Sequence, residues 1–261
     1  MALGGVSVGD VDAVLLDGLG TLLALQPPAP ALVRLLRERH GVELAAADAE
    51  RAFGAEIAYY RAHHREGRDP ATLADLRRRC AETLRAQLPA TAARRLSLAQ
   101  LTETMLEALR FVAYPDAHPA LARLRARGQA LVVVSNWDAS LPTVLHEAGL
   151  GELVDGVVTS AEVGHAKPAR AIFDAALGLA GSSPARTVHV GDSIEHDVCG
   201  ALAAGIKPVL LRRDGAAVGA GAGVDEAAAR GVTPISAPGD AATVSCPRHV
   251  LTISSLAQLL A

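Results

Sequence analysis

The feature that most constrains the fold of this chain is a series of short runs rich in Val and Leu, at 13–16, 130–134, 156–159, 187–190 and 208–211. Runs of four or five apolar residues with no polar alternation suit strands buried on both faces, as in a parallel sheet. Most are separated by helical patterning: 117–127, closed by Gly128, then 168–179 and 197–204. This alternation predicts an α/β fold with a doubly wound parallel sheet, whose ligands bind at the carboxyl ends of the strands. Composition agrees, because half the residues are apolar but only 3% are aromatic, so the core is built from Ala, Leu and Val.

Residues 27–110 contain no convincing strand and read as a helical insert. Asp69 and Pro70 supply an N-cap and a first helical residue, after which Leu73, Leu76, Cys80, Leu84 and Leu88 recur every three or four residues. Ser97 and Gln100 form a capping box for a further helix carrying Leu101, Met105 and Leu109. Linkers are marked by Gln26-Pro27-Pro28 and Tyr114-Pro115-Asp116. The expected organisation is a core of 1–26 and 111–261 with an inserted all-α cap of 27–110. The Ala-, Gly- and Pro-rich stretch 215–243 reads as loop, and a last strand at 249–253 and helix at 255–260 finish the core.

A formal net charge of -3 and scattered arginines supply no basic footprint, so nucleic acid is not an expected partner. Cys80, Cys199 and Cys246 lack CxxC spacing and read as free thiols, not as a disulfide framework or zinc site. Residues 1–10 carry no Lys or Arg ahead of the first apolar run, and Asp17 interrupts that run. A signal peptide or membrane span is therefore disfavoured, and a cytoplasmic protein is expected.

Four segments carry chemistry. Val14-Leu15-Leu16-Asp17-Gly18-Leu19-Gly20-Thr21 delivers a carboxylate and then a hydroxyl to a strand's carboxyl end. Val132-Val133-Val134-Ser135-Asn136 brings a hydroxyl and an amide to the same edge, groups able to grip a phosphoryl oxygen. Lys167, in Gly164-His165-Ala166-Lys167-Pro168, is one of only two lysines among many arginines, and its compact ammonium can neutralise a carboxylate or phosphate. In Val190-Gly191-Asp192-Ser193-Ile194-Glu195-His196-Asp197 two aspartates straddle a turn, a donor set that hard divalent cations favour. Read singly, each segment also admits a plain role: a turn or cap for Asp17 and Asp197, loop starters for Ser135 and Asn136, a solvated acid for Asp192.

In order and spacing the four segments together resemble the haloacid dehalogenase (HAD) superfamily, in the subfamily with a helical cap inserted after the first motif. The resemblance implies a hydrolase acting on a small phosphorylated substrate, with Mg2+ as cofactor. It implies Asp17 as nucleophile and metal ligand, the Leu19 carbonyl as a second ligand, and Asp192 and Asp197 as metal-site acids. Ser135 and Lys167 would hold the phosphoryl group, with Thr21 and Asn136 beside them. Physical reasoning runs the same way, since three carboxylates gathered at one sheet edge repel unless a cation joins them.

The chain departs from the family at Leu19, where phosphatases carry a second Asp that protonates the leaving group. Such acid–base help is worth roughly 10² to 10⁴ in rate, so poor leaving groups should suffer most. Dehalogenases of the family also lack that acid, but their loop at the position of Asp192 is neutral. Phosphonate-cleaving relatives use a cap lysine, and residues 27–110 contain none. A binding protein that kept the fold and lost efficient turnover stays open. In the cap, Arg51, Tyr59, Tyr60, Arg61, His63 and His64 share one stretch that reads mainly as core or solvated face. Trp137 and Asp138 either border the leaving group or cap the following helix.

Overall fold

The computed structural model describes residues 10–213 and 250–260. Six parallel strands form the main sheet: β1 (Ala13–Leu16), β4 (Ala130–Ser135), β5 (Gly156–Thr159), β6 (Thr187–Gly191), β7 (Lys207–Leu211) and β8 (Leu251–Ile253), in the order β5-β4-β1-β6-β7-β8. The strands alternate their side chains between two apolar layers. Val14, Leu16, Leu131 and Val133 pack with Leu121, Leu124, Leu141 and Leu256 on one face. Leu15, Val132 and Val134 pack with Ile172, Phe173 and Ile206 on the other. Burial on both faces is why these strands are apolar throughout.

Between β1 and β4 the chain adds a short antiparallel ribbon, β2 (Leu23–Leu25) with β3 (Phe111–Ala113). Five helices lie between the ribbon strands: α1 (Pro28–His40), α2 (Ala46–His63), α3 (Pro70–Ala86), α4 (Ala90–Ala93) and α5 (Leu98–Ala108). They bury an apolar cluster of their own, including Leu32, Leu36, Phe53, Leu76, Leu84, Leu101 and Met105. Both helix starts read from the sequence form as expected. Asp69 accepts from the Ala71 and Thr72 amides at 3.0 and 2.9 Å, and Ser97 and Gln100 cap each other reciprocally. The ribbon escaped the sequence because each strand has only three residues.

The remaining helices are α6 (Ala117–Ala126), α7 (Leu141–Glu147), α8 (Ser160–Val163), α9 (Arg170–Ala180) and α10 (Gly200–Ala203). The helix expected over 197–204 instead opens with a π-helical turn, Ile194–Cys199, before α10, because the Ser193 hydroxyl caps the His196 amide and draws the turn forward. The helix expected at 255–260 is a 3₁₀ turn, Leu256–Leu260. The loop at 215–243 and the start of the last strand at His249 lie outside the described residues. Cys80 is a buried free thiol, whereas Cys199 is disulfide-bonded, contrary to the reading of free thiols. No helix among the described residues is long and apolar enough to cross a membrane.

Hydrogen bonds join the end of α2 and the turn after it to the sheet's loops. The Tyr60 hydroxyl donates to Asp138 Oδ2 at 3.0 Å, the Ala139 amide donates to the Gly67 carbonyl at 2.8 Å, and Arg65 donates to the Gly164 carbonyl at 3.4 Å.

Candidate active site

Parallel register brings the strand ends together. Leu16 pairs with Val133 on one side and Val190 on the other, so residues following β1, β4 and β6 emerge along one edge. Asp17 is tied into the sheet by its amide, which donates to the Val190 carbonyl at 2.9 Å. Asp17, Asp192 and Asp197 converge there, each offering a carboxylate oxygen within 4.8 Å of the other two. Lys167, almost fully buried, donates from Nζ to Asp17 Oδ1 and to Asp197 Oδ1 at 2.6 Å each. The Ser135 hydroxyl donates to Asp17 Oδ1 at 3.3 Å.

Two glycines allow this crowding. Gly20 sits at φ +88°, and a methyl group there would overlap the Asp192 carboxylate; one at Gly191 would overlap the Asp197 carboxylate. Backbone at positive φ and backbone pressed against a functional group are both places where only glycine fits.

Asn136 contacts no acid directly. Its amide oxygen accepts from the Lys167 amide at 2.7 Å and its Nδ2 donates to the Lys167 carbonyl at 3.1 Å, so it fixes the backbone that presents the ammonium. Thr21 is fully buried, and its hydroxyl has no partner among the described residues. Leu19 is half-buried, pairs in a single bridge with Leu23 and packs against the sheet's apolar layer.

Electrostatics separate the three acids. Burial raises the Asp17 carboxyl despite Lys167, and the nearby Asp197 charge adds to the rise. Asp192 is the exposed member of the three, and crowding at the sheet edge, then the charges of Asp17 and Asp197, push its carboxyl upward. At Asp197 the burial that would raise it is outweighed by the Lys167 charge and a hydrogen bond from His189, and its carboxyl falls well below the usual range. For Lys167 burial is likewise overcome, here by Asp17 and Asp197, which hold its ammonium above the ordinary value. Three carboxylates against one ammonium leave excess negative charge, and hard oxygen donors at this spacing fit a divalent cation such as Mg2+.

His189, at the middle of β6, is fully buried and its Nε2 lies 2.9 Å from Asp197 Oδ1. Asp197 Oδ2 accepts from the Ser193 amide at 3.0 Å, so this acid is held from both sides. The sequence carried a signal for His189, a ring inside an otherwise apolar strand. Trp137 is buried edge-on against Phe111 at 4.9 Å. Asp138 Oδ1 accepts from the Ser140 amide and hydroxyl at 2.7 and 2.6 Å just before α7, and its Oδ2 accepts from the Tyr60 hydroxyl.

A parallel sheet that presents an acid triad and a buried lysine at its carboxyl edge defines a class of hydrolase fold, and sequence comparison identifies which. The family model described as haloacid dehalogenase-like hydrolase matches residues 11–205, and the chain belongs to that family. It is 43% identical over 95 residues to the bovine haloacid dehalogenase-like hydrolase domain-containing protein 3, covering 36% of this chain and 38% of that protein. It is 36% identical over 98 residues to a ribulose-1,5-bisphosphate 5-phosphatase of Halopiger xanaduensis, covering 37% and 41% respectively. These matches span less than half the length of the curated relatives. The fold is similar to that of a HAD phosphatase from Thermococcus onnurineus, with a TM-score of 0.53, 27% identity and coverage of 78% of this chain and 87% of the other.

Proposed function

We propose that the chain is a magnesium-dependent hydrolase of phosphate monoesters or acyl phosphates, with Asp17 as nucleophile and residues 27–110 as a cap over the sheet edge. The observation that carries this reading is the convergence of Asp17, Asp192 and Asp197 around the Lys167 ammonium. Asp17, Asp192 and Asp197, with the Leu19 carbonyl, would hold the ion, which supplies positive charge for the transferring phosphoryl oxygens.

The protein's own groups do the rest. Ser135 and Lys167 both engage Asp17 Oδ1, and no described hydrogen bond reaches Oδ2, so Oδ2 is the oxygen offered to phosphorus. As the Oδ2–P bond forms, the P–O bond to the leaving group breaks and its electron pair stays on that oxygen, which takes a proton from water. A second water then attacks phosphorus, releasing phosphate and restoring the Asp17 carboxylate. Lys167, oriented by Asn136, opposes the protonation that burial favours at Asp17 and shields its charge from the incoming anion. With leucine at position 19, leaving groups that are stable without prompt protonation, aryl and acyl, are favoured.

Phosphate release from p-nitrophenyl phosphate, acetyl phosphate and a sugar phosphate tests the reading, with and without Mg2+. Release is expected only with the ion, and Asp17→Asn should lower it by more than roughly 10³-fold while the fold is kept. Metal-independent chloride release from 2-chloropropionate, without phosphate release, would replace this reading by a dehalogenase.

A further inference from the structure

Arg213 lies two residues beyond β7, and its side chain is 12% exposed. Its base is fixed, since the neighbouring Arg212 amide donates to the Ile253 carbonyl at 2.8 Å. From there the guanidinium reaches three groups at once. Nη2 donates to the Thr21 carbonyl at 2.6 Å, Nη1 donates to Asp116 Oδ2 at 3.1 Å, and the guanidinium carbon lies 3.7 Å from the centre of the Tyr114 ring. Asp116 is held in turn by the Ser255 hydroxyl at 2.7 Å and the Leu256 amide at 2.9 Å. A planar fork with a stacking face suits all three contacts, whereas a compact ammonium cannot reproduce the fork and the stack together.

Thr21 closes the turn that begins at the nucleophile. The Asp17 amide is tied to the Val190 carbonyl, the Leu22 and Leu23 amides both donate to the Gly18 carbonyl at 2.9 Å, and the Gly20 amide donates to the Leu23 carbonyl at 2.8 Å. Gly20 is pressed so closely against the Asp192 carboxylate that no Cβ fits between them. A shift of Thr21 is therefore passed directly to Gly20, and through it to Leu19 and Asp192. The Thr21 hydroxyl has no partner among the described residues, so the side-chain hold on this residue comes from Arg213 through the carbonyl. Thr21 and Tyr114 also mark where the helical insert leaves and rejoins the core, because β2 starts two residues after Thr21 and β3 ends just before Tyr114. The turn is continuous with the segment that carries the insert, and Arg213 grips both connections on the core's side.

From these contacts we propose that Arg213 is a positioning residue for the metal site: by anchoring Thr21 it keeps the Leu19–Gly20 backbone against Asp192 and sets how tightly the acid cluster takes Mg2+. This rests on the phosphatase reading, in which the Leu19 carbonyl helps hold the ion. Groups that orient a metal's ligands without touching the metal typically change its affinity by about 10- to 100-fold.

The test uses three variants of the full chain. Arg213→Met keeps the stem over Tyr114 and removes both hydrogen bonds, Arg213→Lys keeps the charge without the fork, and Leu259→Ala truncates a buried core residue of the last turn without touching either bond. Mg2+ affinity is read by calorimetry at a temperature where each protein is folded, and the exchange of the Gly20 and Leu23 amides is followed in metal-free protein. Arg213→Met is expected to weaken Mg2+ binding about tenfold or more and to speed both amides, with Arg213→Lys intermediate. Leu259→Ala should lower the melting temperature while leaving Mg2+ affinity within about twofold of wild type. Wild-type affinity and exchange in Arg213→Met, or an equal weakening in Leu259→Ala, would overturn the assignment. Should Arg213→Met fail to fold, Arg213→Lys decides: weaker binding sustains the proposal and parity with wild type removes it. If the wild-type protein binds no Mg2+, the metal-dependent phosphatase reading fails by itself, and the role of Arg213 in the metal site falls with it. Faster exchange in Arg213→Met alone, with normal Mg2+ affinity, would likewise reject the metal-site role.

Discussion

Glu56 offers a prediction whose size follows from its surroundings. It lies on α2 four residues before Tyr60, is 3% exposed, and faces the Cys80 thiol on α3 without a cationic partner among the described residues. Burial pushes its carboxyl from an ordinary 4.5 up to about 7, with the thiol's hydrogen bond opposing the rise. Between these values the folded chain keeps the proton and the unfolded chain has released it, so stability falls as pH rises. The contribution is fully present below 4.5, declines through the window and is gone above 7. A shift of this size corresponds to about 3 kcal/mol. Glu56→Gln preserves shape and polarity and cannot ionise. Its stability relative to wild type should therefore improve by about 3 kcal/mol between pH 4.5 and 8. Urea unfolding at steps across that range, followed by circular dichroism on both proteins, measures the difference, and titrations common to both cancel. A difference that stays flat with pH would refute the claim that Glu56 is protonated in the folded cap.

Other consequences follow from the site. Lys167→Met leaves Asp17 and Asp197 buried without their cation and should cost about 3–5 kcal/mol, with Mg2+ recovering part of the loss in thermal melts. Gly20→Ala puts a side chain at positive φ against Asp192, so a loss of about 1–3 kcal/mol is expected, together with weaker Mg2+ binding by calorimetry. Leu19→Asp should help alkyl phosphates more than aryl phosphates in paired kcat/KM measurements; an equal loss on both would mean that packing of residue 19 dominates.

What the sequence disclosed divides along a physical line. β1, β4 and β6 were legible because burial on both faces leaves them wholly apolar, and the acids and hydroxyl after them were legible because they break that pattern. Parallel pairing then aligned the breaks, which is why Asp17, Ser135 and Asp197 meet although 118 positions separate the first two. Thr21 followed the same sequence logic and ended inside the protein, since the chain turns at Gly20 before reaching it. The ribbon of β2 and β3 had no local signal, being two three-residue strands held together by pairing across the whole insert.

The seam was the least legible part, and the reason is physical. Tyr60 and Asp138 stand 78 positions apart, and neither residue's neighbours indicate the other. By helical spacing Tyr60 looked like cap interior, as Phe53 is, and His64 one turn further looked like solvated surface. Docking against the loops after β4 and β5 overturns the second expectation by covering the ring of His64, while Tyr60 packs on the cap cluster as expected and also finds an acceptor in Asp138. Residues that build the acid cluster are fixed by strand ends and can be read from one dimension. Those at the seam belong to a surface that exists only after two elements meet, so no local pattern in the sequence announces them.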